Sequence, residues 1–294
     1  MDLAAVTEFA PASGTVWREG DAYLGGGTWL LSVPQPQTTR LLDLTAYNWP
    51  PLTETTDGLE IAATCTLAEL ARWRPAPDHD WPAASRLPRA CCDALLGSFK
   101  VQNVATVGGN ICLSLPAGPM IALAAAMDGI ATILSPAGAA RAVPVADLVT
   151  GEGRNGLRRG ELLRSVFLPA AALGRAAACR QVSLSPVGRS AVLLIGTAAD
   201  DQVLLTLTAA VPRPVRVRLR LQASQNEIVR SLAKAVTAAT TGGAIGGGAT
   251  DGKATGSRDA GYLDDVHGSA PWRRAMSERA AVEVIAELNG TRRP

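Results

Sequence analysis

The chain has 294 residues, enough for one or two domains, and 47% of them are hydrophobic, enough for a sizeable buried core. A formal net charge of +2, with Lys100, Lys234 and Lys253 as the only lysines and no basic stripe interleaved with aromatics, argues against a nucleic-acid groove. The longest apolar stretch, Met120 to Met127, is stopped by Asp128. That is far short of the roughly 20 residues of a membrane span. The start, MDLAAVTEFAP, has no secretory apolar core, so a soluble, cytoplasmic chain is expected.

Short apolar runs separated by glycine and proline fill the first half. Ala22–Leu24, Leu41–Leu44 and Leu59–Ala63 read as strands. Thr66 and Glu69 have capping-box spacing, which predicts a helix over Leu67–Arg72. A second helix is predicted over Arg89–Leu96, a buried helix over Met120–Met127, and strands over Ile130–Leu134 and Leu162–Leu168. The second half predicts four successive strands in a meander: Cys179–Leu184, Ala191–Gly196, Val203–Ala209 and Val215–Leu221. A helix over Glu227–Ala239 follows, then a glycine-rich exposed connection over Thr241–Arg258. Ser269 is placed to cap a last helix with the stripe Trp272, Met276, Ala280, Val284 and Leu288. Asp265, His267 and Ser269 lie too close in sequence for a catalytic relay and read as turn and cap residues.

The five cysteines, Cys65, Cys91, Cys92, Cys112 and Cys179, are odd in number and show no C-x-x-C spacing. With only His79 and His267 beside them, they read as buried or half-buried thiols, with no metal site.

Two stretches carry the chemistry. The first is Leu24, Gly25, Gly26, Gly27, Thr28, Trp29 and Leu30; the second is Thr106, Val107, Gly108, Gly109 and Asn110. Glycine admits positive φ and close approach of a ligand, and successive N–H groups in such turns suit phosphate oxygens. Thr28, Thr106 and Asn110 add hydroxyl and amide groups, so the two loops could clasp a diphosphate from two sides. Neither loop is a Rossmann fingerprint or a P-loop. The run Gly242–Gly248 fits neither template and reads as a connector.

LGGGTWL, NVATVGGNICLSLPAGP (Asn103 to Pro119), GELLRSVFLP and DVHGSAPWRRAM together resemble the medium, FAD-binding subunit of the xanthine dehydrogenase and carbon monoxide dehydrogenase family of molybdenum hydroxylases. The resemblance implies an α+β chain. Residues 1–170 would form a vanillyl-alcohol-oxidase-type (PCMH-type) FAD-binding domain, itself split near 50–58. Residues 171–294 would form a small α+β domain with a three- to four-stranded antiparallel sheet and helices. It implies FAD on both loops, with Leu163 beside the flavin and Arg180 as a cation that could stabilise the anionic reduced flavin. It implies no catalytic side chain acting on the organic substrate. Partners would be a large molybdopterin-cofactor subunit and a small subunit with two 2Fe-2S clusters, as a dimer of heterotrimers passing electrons to a terminal acceptor. Two other readings stay open: a flavin-fold scaffold without redox activity, and a stand-alone flavin oxidoreductase. Relatives carry Pro-Ala-x-Asp where this chain has Pro116-Ala117-Gly118-Pro119, and Trp29 replaces a commoner acid or amide. Trp29 is expected to pack inward.

Overall fold

The computed structural model describes residues 3–241, 257–259 and 261–290. Strands β1 (Glu8–Pro11), β2 (Asp21–Leu24) and β3 (Arg40–Asp43) form a small parallel sheet in the order β1-β3-β2. Arg40 ties the three strands together. Its Nε and Nη2 lie 2.7 Å from the two carboxylate oxygens of Asp21, and its Nη1 lies 3.3 Å from Glu8. This planar fork holds the start of β2, whose other end runs into the first glycine run.

A hairpin follows, β4 (Leu52–Thr55) and β5 (Gly58–Ala62), then five helices: α1 (Leu67–Arg72), α2 (Pro82–Ala94), α3 (Phe99–Gln102), α4 (Val107–Leu113) and α5 (Pro119–Ala126). Next come β6 (Ile130–Leu134), β7 (Ala140–Pro144), α6 (Val145–Leu148), β8 (Val149–Gly151), β9 (Arg154–Asn155), β10 (Leu162–Pro169) and α7 (Ala170–Leu173). The main sheet here is antiparallel, in the order β4-β5-β10-β6-β7. Helix α1 has the predicted bounds and a complete capping box on Thr66 and Glu69. Helix α2 starts at Pro82, not Arg89, because proline at the first helical position needs no N–H partner. Helix α4 was not read from the sequence at all: two glycines in its first turn hide it.

The second half is the predicted meander. Strands β11 (Ala176–Val182), β12 (Val192–Ala199), β13 (Gln202–Thr208) and β14 (Val215–Arg220) pair in sequence order, all antiparallel. Helix α8 (Gln225–Thr241), the hairpin β15 (Ser257–Asp259) and β16 (Tyr262–Asp264), and helix α9 (Ala270–Gly290) complete the chain. Helices α8 and α9 share a core with one face of the sheet, through Leu194, Leu205, Ile228, Leu232, Val284 and Leu288. The other face turns to the first half: Leu193, Ile195 and Ala209 belong to the same core as Met120, Ile121 and Leu123 of α5. Every residue of α5 is therefore buried, as expected of a helix that is apolar all round. The predicted connection over Thr241–Arg258 lies, from 242 to 256, outside the described residues.

The stripe on α9 is only partly correct. Four residues turn an α-helix through about 400°, so a strict four-residue repeat drifts around the surface. Ala280, Val284 and Leu288 are buried, but Trp272 and Met276 are half-buried. At that end the buried face presents Arg273 and Ser277. The first N–H of α9, on Ala270, donates to Asp264 at 3.3 Å.

Candidate functional site

Strand β2 runs straight into Gly25, Gly26 and Gly27. The loop presses against the segment that precedes α4. A β-carbon on Gly26 would lie 1.7 Å from the carbonyl oxygen of Val104, and one on Gly25 would lie 3.0 Å from Thr106 Oγ1. Gly27 has φ +68°, which glycine adopts without cost. The chain then closes one turn, with the Leu31 N–H donating to the Gly27 carbonyl at 2.9 Å and Ser32 N–H to Trp29 at 2.8 Å. Among the described residues, the N–H groups of Gly25, Gly26, Gly27, Thr28, Trp29 and Leu30 have no acceptor. Such a row carries a partial positive charge and suits an anion. Trp29 is 43% exposed and does not pack inward, because Leu24 and Leu31 already fill the space beneath Gly27.

The second stretch is built differently. Thr106 is the N-cap of α4, and its Oγ1 accepts the Gly109 N–H at 3.1 Å. Val107 N–H donates to Cys65 and Gly108 N–H to Ala63, each at 2.9 Å, and Asn110 N–H donates to Thr106 at 3.0 Å. The N–H groups of residues 107 to 110 are thus all committed inside the protein. Gly108 is required by packing, since a β-carbon there would lie 2.5 Å from that of Ala63. Gly109 is exposed and meets only Thr106 Oγ1. Asn110 Oδ1 accepts the Met120 N–H at 3.0 Å, capping α5, where Gly118 has no side chain and Pro119 no N–H. The Pro-Ala-Gly-Pro departure is thereby accommodated. This stretch offers a ligand the open surface of Gly109 and the half-buried Asn110 amide nitrogen, with Thr106 buried behind them.

The structure brings the two stretches together, though about 80 residues separate them. Leu163 belongs to the same buried core as Val107 and Ile111 behind the second stretch, whereas the ion pairs of Arg180 run to the last helix. Leu163 is buried on β10, paired with Ile133 beside a bulge. Arg180, on β11, is bound to Glu287 at 2.7 Å and Glu283 at 3.2 Å. Its charge is balanced within α9, not presented as a free cation. Sequence reasoning missed Val104, whose carbonyl floors the first loop, and Ala63 and Cys65, which brace the second; only the glycine pairs hinted at such crowding. The thiols behave as core groups: burial pushes Cys112 up to about 12 and Cys179 up to about 11.

Residues 12–171 match the family model described as the FAD binding domain in molybdopterin dehydrogenase. The chain belongs to this family. It is 27% identical over 148 residues to the proposed xanthine dehydrogenase FAD-binding subunit XdhB of Escherichia coli K12, covering 48% of this chain and 50% of that protein. It is 29% identical over 119 residues, 38% of this chain, to Xanthine dehydrogenase 2 of Arabidopsis thaliana, of which it spans 9%. The chain thus spans half or less of the curated relatives it matches. Quinoline 2-oxidoreductase from Pseudomonas putida 86 superimposes with a TM-score of 0.71 at 18% identity, covering 99% of both chains. That likeness extends the common fold across both halves, so the expected PCMH-type domain followed by an antiparallel sheet with helices is the fold of this molybdopterin dehydrogenase FAD-binding chain. FAD fits the residues: its diphosphate is an anion, and the first loop offers unclaimed N–H groups beside β-carbon-free backbone. Neither stretch contains a carboxylate.

Proposed function

We propose that this chain is the FAD-binding electron-transfer subunit of a multi-subunit molybdenum hydroxylase, acting in the cytoplasm. The row of unpartnered N–H groups from Gly25 to Leu30, closed against Val104–Thr106, carries this reading. In it, Gly25–Leu30 hold the diphosphate, with Thr106, Gly109 and Asn110 as the opposite wall. Val107 and Gly108 contribute by fixing that wall against Ala63 and Cys65. Leu163 backs that wall from the core it shares with Val107, and Arg180 is paired with Glu283 and Glu287. Bound FAD supplies one- and two-electron redox chemistry, while the protein supplies position and electrostatics. The partners would be a large molybdenum-cofactor subunit and a small iron–sulfur subunit, assembled as a dimer of heterotrimers. Electrons would enter from the clusters and leave to a terminal acceptor.

Titration of the purified chain with FAD tests the site, with Thr28→Asp as the variant. Thr28 is exposed, so an acid there should leave folding intact while its charge opposes the diphosphate. The affinity should fall about tenfold or more. Unchanged affinity in Thr28→Asp would remove the first loop from the site. Co-expression with candidate partners, followed by the absorbance spectrum of what co-purifies, tests the assembly. A colourless chain that takes up no FAD would sink the redox reading.

A further inference from the structure

We propose that Arg273, on the last helix, is a positioning residue for the FAD site, acting through Ala209 and the Pro116 turn. The inference rests on the assignment of FAD to the two loops. Arg273 is 1% exposed. Its guanidinium donates from Nη1 to the carbonyls of Ala191 at 2.8 Å and Ala209 at 2.7 Å, from Nε to Gly268 at 3.0 Å, and from Nη2 to Asp265 at 2.6 Å. One buried fork therefore holds the start of β12, the end of β13 and the turn before α9.

Ala209 is the sensitive link. It adopts φ +64°, a conformation that a residue with a β-carbon holds only when its surroundings impose it. Arg273 holds its carbonyl; its own N–H donates to the Pro116 carbonyl at 2.7 Å. Pro116 begins the turn that leads to α5, and that turn closes through the Gly118 N–H to Leu115 at 2.8 Å. At its far side Met120 N–H is held by Asn110, the last residue of the second stretch. The turn is thus gripped by Ala209 at one end and by Asn110 at the other. Without the Arg273 fork, Ala209 has less to keep it at positive φ, and the turn and Asn110 lose their reference to the second sheet.

Arg273→Lys tests this. Lysine keeps the charge facing Asp265 but cannot hold the carbonyls in one plane as a guanidinium does. The FAD dissociation constant of the variant should rise about tenfold, the worth of one hydrogen bond to a charged group, and the visible circular dichroism of bound flavin should change. Adding Ala209→Gly should recover most of the affinity, because glycine takes positive φ unaided. An Arg273→Lys chain that melts lower but binds FAD with unchanged affinity would show a purely structural role and overturn the proposal. Failure of Ala209→Gly to recover affinity would do the same. Hydrogen exchange on the wild-type chain needs no variant: FAD should slow exchange at the Ala209 amide, since coupling is reciprocal. Unaltered exchange there also overturns it. Thr28→Asp, run alongside, separates the two readings. No effect at Thr28 overturns the loop assignment and this inference with it; no effect at Arg273 alone overturns only the inference.

Discussion

Gly26 approaches the carbonyl oxygen of Val104 so closely that a β-carbon at that position would lie 1.7 Å from it. The obstacle is backbone, which cannot swing aside as a side chain would. Gly26→Ala should therefore force the loops apart, lower stability by about 1–3 kcal/mol, and abolish FAD retention. Urea unfolding of the apo chain and the flavin content of the purified variant check both parts. A normal flavin content would show that the close approach is not needed for the site.

Gly109→Glu should give effects of opposite sign on folding and on binding. Gly109 is the third residue of α4, after the Thr106 cap, so glutamate there completes a capping box like that of Thr66 and Glu69 in α1. It also removes a helical glycine, for a gain of about 1 kcal/mol. The same carboxylate faces the proposed diphosphate. The variant should melt higher than wild type and bind FAD more weakly. Gly108 offers no such test: a bulky residue there meets Ala63 and should unfold this region, so loss of FAD would be uninformative.

Acid should act on the first loop through Asp21. Burial works against its charge, but the Arg40 fork and the Arg18 N–H outweigh it and hold its carboxyl below the ordinary range. A folded-state value below the unfolded one gives stability that is complete above the unfolded value of about 3.9. That stability is lost as pH falls through the folded value. FAD release and loss of stability should therefore accompany acidification below about pH 4. In Asp21→Asn this contribution to the pH dependence should vanish, and stability at neutral pH should fall by about 3 kcal/mol. Fluorescence and flavin absorbance against pH are the measurements. Wild-type stability in the Asp21→Asn variant would exclude the role.

Asp128 joins the two halves, accepting hydrogen bonds from Arg175 at 2.6 Å and from Arg216 on β14. Burial opposes its charge here too, but the two arginines hold its carboxyl low. Arg216 Nε is buried without a partner, so removing the acid leaves a poorly compensated cation. Asp128→Ala should cost about 2 kcal/mol in urea unfolding. FAD affinity should stay close to wild type, since Asp128 does not enter the loops.

The sequence by itself determined much of the local structure. Thr66 and Glu69 fixed the start of α1, because a capping box is a local contact. Alternating apolar runs fixed the meander β11 to β14, because each strand needs only its neighbours in sequence. Two glycine-rich stretches pointed to an anion, and their wording to a family. Tertiary structure alone decided how these parts divide the work. Whether a backbone N–H is free depends on which distant carbonyl reaches it: Ala63 and Cys65 take those of Gly108 and Val107, while no acceptor among the described residues takes those of Gly25 to Leu30. The resemblance implies a cation beside the flavin at Arg180, and Glu283 and Glu287 neutralise it only after α9 packs on β11. Arg273 carries no sequence signal of its own and becomes the buried fork beneath Ala209. Hydrogen bonds between residues far apart in the chain leave no period in the sequence, so their partners appear only once the chain is folded.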